Sequence, residues 1–184
     1  MRVKVFIAAI VSVVSMITIG AQSQKAPSGS VEISFSYKKK FGFASNQFAV
    51  WIEDAKGKYV RSLYATSFTA DGGYKRRPNS LPLWVKQSNL AGLSKDQIDA
   101  ISGATPRAGM LTYRWDGTDA KGAAVTAGEY RLILEATLRN ENAVIYSVPV
   151  KLGASGEVKP EPKYLGNSTD DRNMISDVVV KCSK

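Results

Sequence analysis

Residues 48–64 read Phe-Ala-Val-Trp-Ile-Glu-Asp-Ala-Lys-Gly-Lys-Tyr-Val-Arg-Ser-Leu-Tyr. Two runs rich in β-branched and aromatic residues, Phe48–Ile52 and Tyr59–Tyr64, flank the tetrapeptide Asp54–Gly57. The glycine of that tetrapeptide supplies the positive φ that a tight turn needs. The stretch therefore predicts a β-hairpin, and it indicates the fold class of the rest of the chain.

Strand patterns continue on both sides of this hairpin. Residues Val31–Tyr37 alternate apolar and polar side chains, which is typical of a half-buried strand. The runs Met110–Trp115 and Tyr130–Thr137 flank a second turn region that repeats Asp-Ala-Lys-Gly, so a second hairpin is expected. Further strands are predicted over 144–152 and 178–180. The fold class is therefore mainly β, an immunoglobulin-like antiparallel sandwich.

A helical segment interrupts the strands. Ser94 and Gln97 have the spacing of a capping box, and Ile98 and Ile101 would share one helix face. Gly103 is expected to end this helix. We therefore expect a short helical insertion at about 80–105 within a single domain that covers residues 24–184. Long insertions in compact β domains often carry function.

The first residues have the pattern of an export signal. Arg2 and Lys4 precede an apolar run over 5–20, and Ala21-Gln22-Ser23 offers small residues where a signal peptidase reads the chain. The pattern predicts a signal peptide over 1–23 and a periplasmic location. The apolar run is shorter than the roughly 20 residues that span a bilayer, which favours a cleaved leader over the alternative of an uncleaved anchor. No further membrane span is expected after the leader.

Composition excludes several kinds of chemistry. The 184 residues include no histidine and one cysteine, Cys182, which is expected to be a free thiol. Ser-His-Asp and Cys-His catalysis, zinc sites of the His/Cys kind and Cys-ligated iron–sulfur clusters are therefore excluded. No metal site is predicted, and redox chemistry would need an organic cofactor. The net charge is +9, but export argues against nucleic acid as the partner.

One segment carries candidate chemistry, and it reads Asp99-Ala100-Ile101-Ser102-Gly103-Ala104-Thr105. The hydroxyl of Thr105 follows two small residues that let another active site approach the backbone. The segment resembles the D-x-x-S-G-A-T flavinylation motif of covalent FMN-binding proteins, which include subunits of sodium-pumping respiratory complexes. The resemblance implies that a periplasmic FMN transferase joins FMN through its phosphate to Thr105. It implies that Ser102, Gly103 and Ala104 are the recognition core and that Asp99 is the upstream acid.

Residues near the motif extend this hypothesis. Pro106 is a departure from the family pattern, because the carriers usually have a small or hydroxyl residue after the threonine. Arg107 is the candidate partner of the FMN phosphate, because a guanidinium binds phosphate through two hydrogen bonds. Trp84 and Trp115 are expected to be core residues. Because they lie on either side of the motif in sequence, the alternative is that they stack on the flavin ring. The alternative interpretation of the motif is a plain loop at the end of a helix.

Two further resemblances concern longer parts of the chain. Residues 49–54, 63–64 and 75–84 resemble a family of predicted periplasmic proteins of unknown function. That resemblance spans most of the chain after the leader, and it implies no established activity. Residues 115–119 and 127–130 resemble the Ig-like domain of the flagellar hook-capping protein, which supports the fold alone.

These observations predict an exported flavoprotein that carries FMN on Thr105 and acts as an electron-transfer carrier in the cell envelope rather than as a catalyst. The positive charge predicts an acidic redox partner, with the basic run Lys75–Arg77 as its contact. The alternative for that run is a solvated loop. The alternative function is a cofactor-free Ig-like binding or assembly module of the periplasm.

Overall fold

A computed structural model describes residues 29–42, 45–167, 169 and 171–184. The signal peptide predicted over 1–23 lies outside the described residues. Within them the strands are β1 Ser30–Tyr37, β2 Gln47–Asp54, β3 Tyr59–Thr66, β4 Ser102–Gly103, β5 Gly109–Trp115, β6 Gly128–Arg139, β7 Asn142–Leu152, β8 Gly156–Val158, β9 Lys163–Leu165 and β10 Ile175–Ser183. The α-helices are α1 Ser67–Ala70, α2 Pro82–Gln87 and α3 Lys95–Ile101, and 3-10 turns cover Gly73–Lys75, Leu90–Gly92 and Arg172–Met174.

The strands form two sheets. One has four strands in the order β5-β1-β10-β8, and the other has six in the order β4-β3-β2-β6-β7-β9. Neighbouring strands are antiparallel except at one edge, where the short strand β4 runs parallel to the end of β3. The expected fold class, a mainly β sandwich with a short helical insertion, is confirmed. The helical elements of the connection between β3 and β4 run from Ser67 to Ile101.

The two turn regions with the sequence Asp-Ala-Lys-Gly share their hydrogen bonds but not their topology. In each, the aspartate Oδ1 accepts two backbone N–H groups: Asp54 from Lys56 and Lys58, Asp119 from Lys121 and Ala123. The first turn joins β2 to β3 as the predicted hairpin. The expectation of a second hairpin was wrong, because β5 pairs with β1 and β6 pairs with β2. The longer connection after Trp115 instead carries the chain from one sheet to the other.

The main core lies between the two sheets. Alternate residues of β1 point inward from the four-stranded sheet, and alternate residues of β2 and β6 meet them from the six-stranded sheet. The largest of these buried side chains are Phe35, Tyr37, Phe48 and Trp115, each without exposed surface. Burial of this much apolar and aromatic area is the main source of stability for a domain without disulfides.

A second core covers the outer face of the six-stranded sheet. Ala49, Trp51 and Ile133 point away from the first core and pack against Leu81 and Trp84 of the helical connection. The indole N–H of Trp84 donates to Ser62 Oγ at 2.8 Å, so the buried polar atom of this side chain has a partner. Strand β2 is thus buried on both faces, and the helical connection is the layer that closes the outer one.

Polar side chains of β6 hold the start of helix α2 against the sheet. The carboxylate of Glu135 accepts the backbone N–H groups of Leu83 at 3.1 Å and Trp84 at 2.8 Å. Thr137 Oγ1 accepts the N–H of Leu81 at 3.0 Å. Burial raises the pKa of Glu135 to about 7, although the two N–H donors oppose that rise. The carboxyl group therefore titrates within the range of ordinary solution conditions.

This buried carboxyl group predicts a pH-dependent stability. The folded pKa of about 7 lies above the ordinary value of 4.5, so the folded protein holds this proton over a range where the unfolded chain releases it. The free energy of unfolding should therefore fall by up to about 3 kcal/mol as pH rises from 4.5 to 8. Urea unfolding of the wild type and Glu135→Gln across this range measures the effect. The variant should show a flatter profile, and parallel profiles would contradict the assignment.

Candidate functional site

Helix α3 leads the chain into the candidate motif. Ser94 Oγ accepts the N–H of Gln97, and the Gln97 side chain accepts the N–H of Ser94, which confirms the predicted capping box. No residue of α3 is fully buried, but Ile98 and Ile101 pack against the outer core as predicted from their spacing. The helix therefore lies on the surface and is fixed along one face.

Asp99 lies in the last turn of α3 and is exposed. It lines a groove of about 660 Å³ between α3 and the 3-10 turn Gly73–Lys75. Tyr74 and Lys75 line the same groove. The structure thus places the acid of the motif beside the basic run that begins at Lys75, which the sequence separation of the two did not indicate.

The motif continues as an edge strand and then crosses between the sheets. Ser102 and Gly103 form β4 and pair with Ala65 and Thr66 at the end of β3. Residues 104–108 then carry the chain from the six-stranded sheet to β5 of the four-stranded sheet. Thr105 lies in this crossover and is half-buried. The motif therefore spans the side of the sandwich where the two sheets would otherwise be open.

The individual site residues differ in exposure. Ser102 and Gly103 are half-buried like Thr105, whereas Ala104 and Arg107 are exposed. Among the residues that the structure describes, none forms a hydrogen bond with the side chain of Thr105. The structure brings the residues from Ser102 to Arg107 together as one continuous surface segment.

Tyr64 is the residue of this site that the sequence did not single out. Its hydroxyl donates towards the carbonyl oxygen of Ala104 at 2.7 Å and that of Gly103 at 3.1 Å. Burial raises the pKa of Tyr64, so the hydroxyl is a protonated donor at neutral pH. The sequence placed Tyr64 at the end of a predicted strand and within the family resemblance at 63–64, and neither signal indicates a contact with residues about 40 positions later.

The reason for a glycine at position 103 differs from the predicted one. Helix α3 ends at Ile101, and Ser102 takes an extended conformation at its C-cap, so Gly103 is not a left-handed helix terminator. A Cβ at position 103 would instead lie 2.9 Å from Cε2 of Tyr64. Close approach of the Tyr64 ring, rather than backbone conformation, requires the missing side chain.

The aromatic residues at the site are tyrosines rather than tryptophans. The rings of Tyr64 and Tyr113 lie 4.9 Å apart at 30°, and both side chains are partly exposed. Trp84 and Trp115 have no exposed surface, and their indole N–H groups donate to Ser62 and Thr118. The expectation that both are core residues is confirmed, and the alternative that they stack on a flavin is wrong.

A basic cluster lies next to the motif. The strand pair Thr66–Gly103 is followed directly by α1, which contains Phe68. The guanidinium carbons of Arg76 and Arg77 lie 5.8 and 4.9 Å from the centre of the Phe68 ring. These cation–π contacts hold two exposed arginines over the helix that adjoins the motif.

Other kinds of site find no support in the described part of the chain. No group of three or more acidic, cysteine or histidine residues there is arranged to hold a metal ion. No helix there has the length and apolar character to span a membrane. Cys182 is a half-buried free thiol in β10, paired with Val31 of β1.

Two packed sheets closed on one side by a hydroxyl-bearing crossover define a small β-sandwich protein with a surface-loop site. Residues 29–166 match the family described as predicted periplasmic protein (DUF2271), and the chain belongs to this family. The match confirms the resemblance to predicted periplasmic proteins and the expected periplasmic location. Comparisons with curated proteins and with solved structures found no match. The flavinylation motif and the resemblance to the hook-capping domain stay predictions.

The capping box predicts how stable the helix before the motif is. Replacing Ser94 with alanine removes one acceptor of an N-terminal N–H group, which costs about 1 kcal/mol of helix stability. Amide hydrogen exchange over residues 95–101 should become about fivefold faster. Ser155→Ala, a change of an exposed serine that caps no helix, is the matched control. Unchanged exchange in the Ser94 variant would contradict the role of the cap.

Proposed function

We propose that this protein carries FMN as a phosphoester on Thr105 and acts as an electron carrier in the periplasm. The observation that supports the proposal is the position of Thr105 and the lack of a hydrogen bond to its hydroxyl from any described residue. Thr105 is half-buried on a backbone segment anchored at both ends, and no described residue forms a hydrogen bond with its hydroxyl. A modifying enzyme therefore has no hydrogen bond from a described residue to break before this oxygen can react.

The group transfer needs an activated FMN donor, and FAD supplies one as the anhydride of FMN and AMP. Thr105 Oγ attacks the phosphorus on the FMN side of that anhydride. A new Oγ–P bond forms, the anhydride P–O bond breaks, AMP leaves, and the hydroxyl proton passes to a base of the FMN transferase. No electrons are exchanged in this step, so the oxidation state of the flavin is unchanged.

The residues around Thr105 suit a group that carries a phosphodiester. The new ester retains one negative charge, and exposed Arg107, two residues further along, can reach it as the phosphate partner. Small residues at 103 and 104 leave the neighbouring backbone accessible. Ser102, Gly103, Ala104 and Asp99 would form the surface that the transferase recognises.

The role of an electron carrier fits the residues that the chain offers. A bound flavin supplies the redox chemistry, and the protein supplies position and electrostatic environment. The chain has no histidine to act as a general base, and its one cysteine lies in β10 rather than in the motif. The proposal therefore assigns turnover of substrates to the redox partners in the envelope and not to this protein.

The basic cluster beside the motif gives the carrier a surface for an acidic partner. Lys75, Arg76 and Arg77 are all exposed, and the last two are held over Phe68. Redox encounters are commonly small and steered by charge. A partner with an acidic face would thus approach at the helix that adjoins Thr105.

Flavin attachment is tested by intact mass. The full chain, co-expressed with an FMN transferase and exported, should gain the mass of one FMN and show the visible absorption of a flavin. Thr105→Ala should abolish both signals. Thr112→Ala, which changes an exposed threonine on the neighbouring strand β5, should retain them. A colourless wild-type protein of unmodified mass would reject the proposal and favour the cofactor-free Ig-like module.

The electrostatic role is tested with small redox probes of opposite charge. Oxidation of the reduced flavoprotein by ferricyanide, an anion, should slow as salt is added, because salt screens attraction beyond about 8–10 Å at 0.1–0.15 M. Replacing Lys75, Arg76 and Arg77 with glutamine should lower the low-salt rate with ferricyanide and raise it with hexaammineruthenium(III), a cation. Flavin content should not change.

A charge-matched control separates local steering from net charge. Lys56, Lys58 and Lys121 are exposed near the start of β3, whereas the motif pairs with its end, roughly 23 Å away. Their replacement with glutamine should leave both rates near the wild-type values. Equal effects of the two triple variants would show that Lys75–Arg77 act only through net charge, and would favour the alternative interpretation of this run as a solvated loop.

A further inference from the structure

We propose that Tyr64 is the positioning residue that presents Thr105 for modification, and that Gly103 is a glycine because the ring of Tyr64 occupies the space of its side chain. This inference rests on the proposed function for its consequence in flavin transfer. Its structural half, the restraint of the loop by Tyr64, can be tested without any flavin.

The restraint acts on the backbone just before Thr105. The Tyr64 hydroxyl lies within hydrogen-bond distance of the carbonyl oxygens of Gly103 and Ala104, and the contact with Ala104 is the shorter at 2.7 Å. A carbonyl oxygen shares its peptide plane with the next amide nitrogen. Fixing the oxygen of Ala104 therefore fixes the orientation of the peptide group that enters Thr105.

Tyr64 itself is held by its neighbours. Its ring lies 5.2 Å from that of Phe48 in the main core and 4.9 Å from that of Tyr113 on β5. These contacts come from both sheets, so the ring cannot move without disturbing the packing between them. The hydroxyl is thus a donor on a rigid element, which is the arrangement that positions a site most accurately.

Pro106 provides the second restraint, on the other side of Thr105. The ring of a proline disfavours the helical region for the preceding residue and favours an extended backbone. Thr105 is therefore limited by Tyr64 through its N-terminal peptide group and by Pro106 through its own dihedral angles. The direction of its Cα–Cβ bond is set by the scaffold before any enzyme binds.

Steric contact explains the glycine. A Cβ on residue 103 would lie 2.9 Å from Cε2 and 3.4 Å from the hydroxyl oxygen of Tyr64. The φ angle of Gly103 is not in the left-handed region, so alanine is compatible with the backbone and only the ring opposes it. Gly103→Ala should therefore displace the loop or the ring, and the cost should depend on which side chain stands at position 64.

Loss of the hydroxyl should affect binding to the transferase more than chemistry. Without the restraint the loop populates several conformations, and the apparent affinity falls by the fraction that is competent. One net hydrogen bond corresponds to about a three- to tenfold change. Tyr64→Phe keeps the ring and its packing, so it removes this restraint alone.

The first experiment compares the wild type with Tyr64→Phe, using the full chain, a purified FMN transferase and FAD. Intact mass followed over time at several carrier concentrations should show KM for the carrier raised about three- to tenfold and kcat changed less than twofold. Without transferase, the NMR order parameters of the amides of Ala104, Thr105 and Arg107 should be lower in Tyr64→Phe than in the wild type. Unchanged KM together with unchanged order parameters would overturn the proposal.

The second experiment tests the glycine by coupling it to position 64. Gly103→Ala should impair modification strongly in the wild type and in Tyr64→Phe, because both keep the ring. In Tyr64→Leu, which removes the ring, Gly103→Ala should add less than a twofold further loss. An equal loss in all three backgrounds would show that the transferase itself requires the glycine, and it would overturn this half of the proposal.

The outcomes separate this inference from the proposed function. If the wild type is never modified, the proposed function fails, but lower loop order parameters in Tyr64→Phe still support the restraint. If Thr105 is modified and the order parameters and KM are unaffected, the function stands and the inference fails. Thermal unfolding identifies a Tyr64→Leu protein that does not fold, in which case Gly103→Ala is judged by the loop order parameters alone, with lower values expected and no change contradicting the contact.

Discussion

The six-stranded sheet is apolar on both faces, and the rest of the structure follows from the need to cover them. On β2, Phe48 and Val50 point into the sandwich, while Ala49 and Trp51 point out of it. The four-stranded sheet can cover only one of these faces. The helical connection must therefore lie across the other, because an exposed Trp51 and its neighbours would leave a large apolar patch in water. After the helical connection has crossed this face, the chain returns to the edge of β3. Ser102 and Gly103 of the candidate motif pair with β3 at that edge.

Polar contacts determine where the helical layer sits, although apolar burial supplies most of its stability. Glu135 and Thr137 accept backbone N–H groups at the start of α2, and Ser62 accepts the indole N–H of Trp84. Each of these groups is buried on an otherwise apolar face, where an unpaired donor or acceptor would cost about 1–3 kcal/mol. A different placement of the helix would leave several of them unpaired at once. The arrangement thus specifies one docking position, and with it the point at which residue 102 joins the sheet.

Local patterns in the sequence predicted local structure, and they did not predict contacts between distant segments. The first hairpin, the strand over 31–37 and the capping box at Ser94 follow from turn chemistry, alternation and spacing, which act over a few residues. The prediction of a second hairpin was wrong because the same turn residues also occur in a connection between sheets. The contact of Tyr64 with the motif depends on which strands become neighbours. Neither composition nor spacing carries that information for a sandwich with crossovers.

The position of the motif in a crossover also distinguishes it from the two turns that share the sequence Asp-Ala-Lys-Gly. In those turns an aspartate side chain satisfies the backbone donors, so the turn is closed upon itself. The segment from Ala104 to Arg107 is held from outside, by Tyr64 on one side and by the start of β5 on the other. If Thr105 is modified as proposed, the transferase meets a segment that is anchored at its ends and carries no side-chain cap of this kind, whereas a closed turn would have to be opened first.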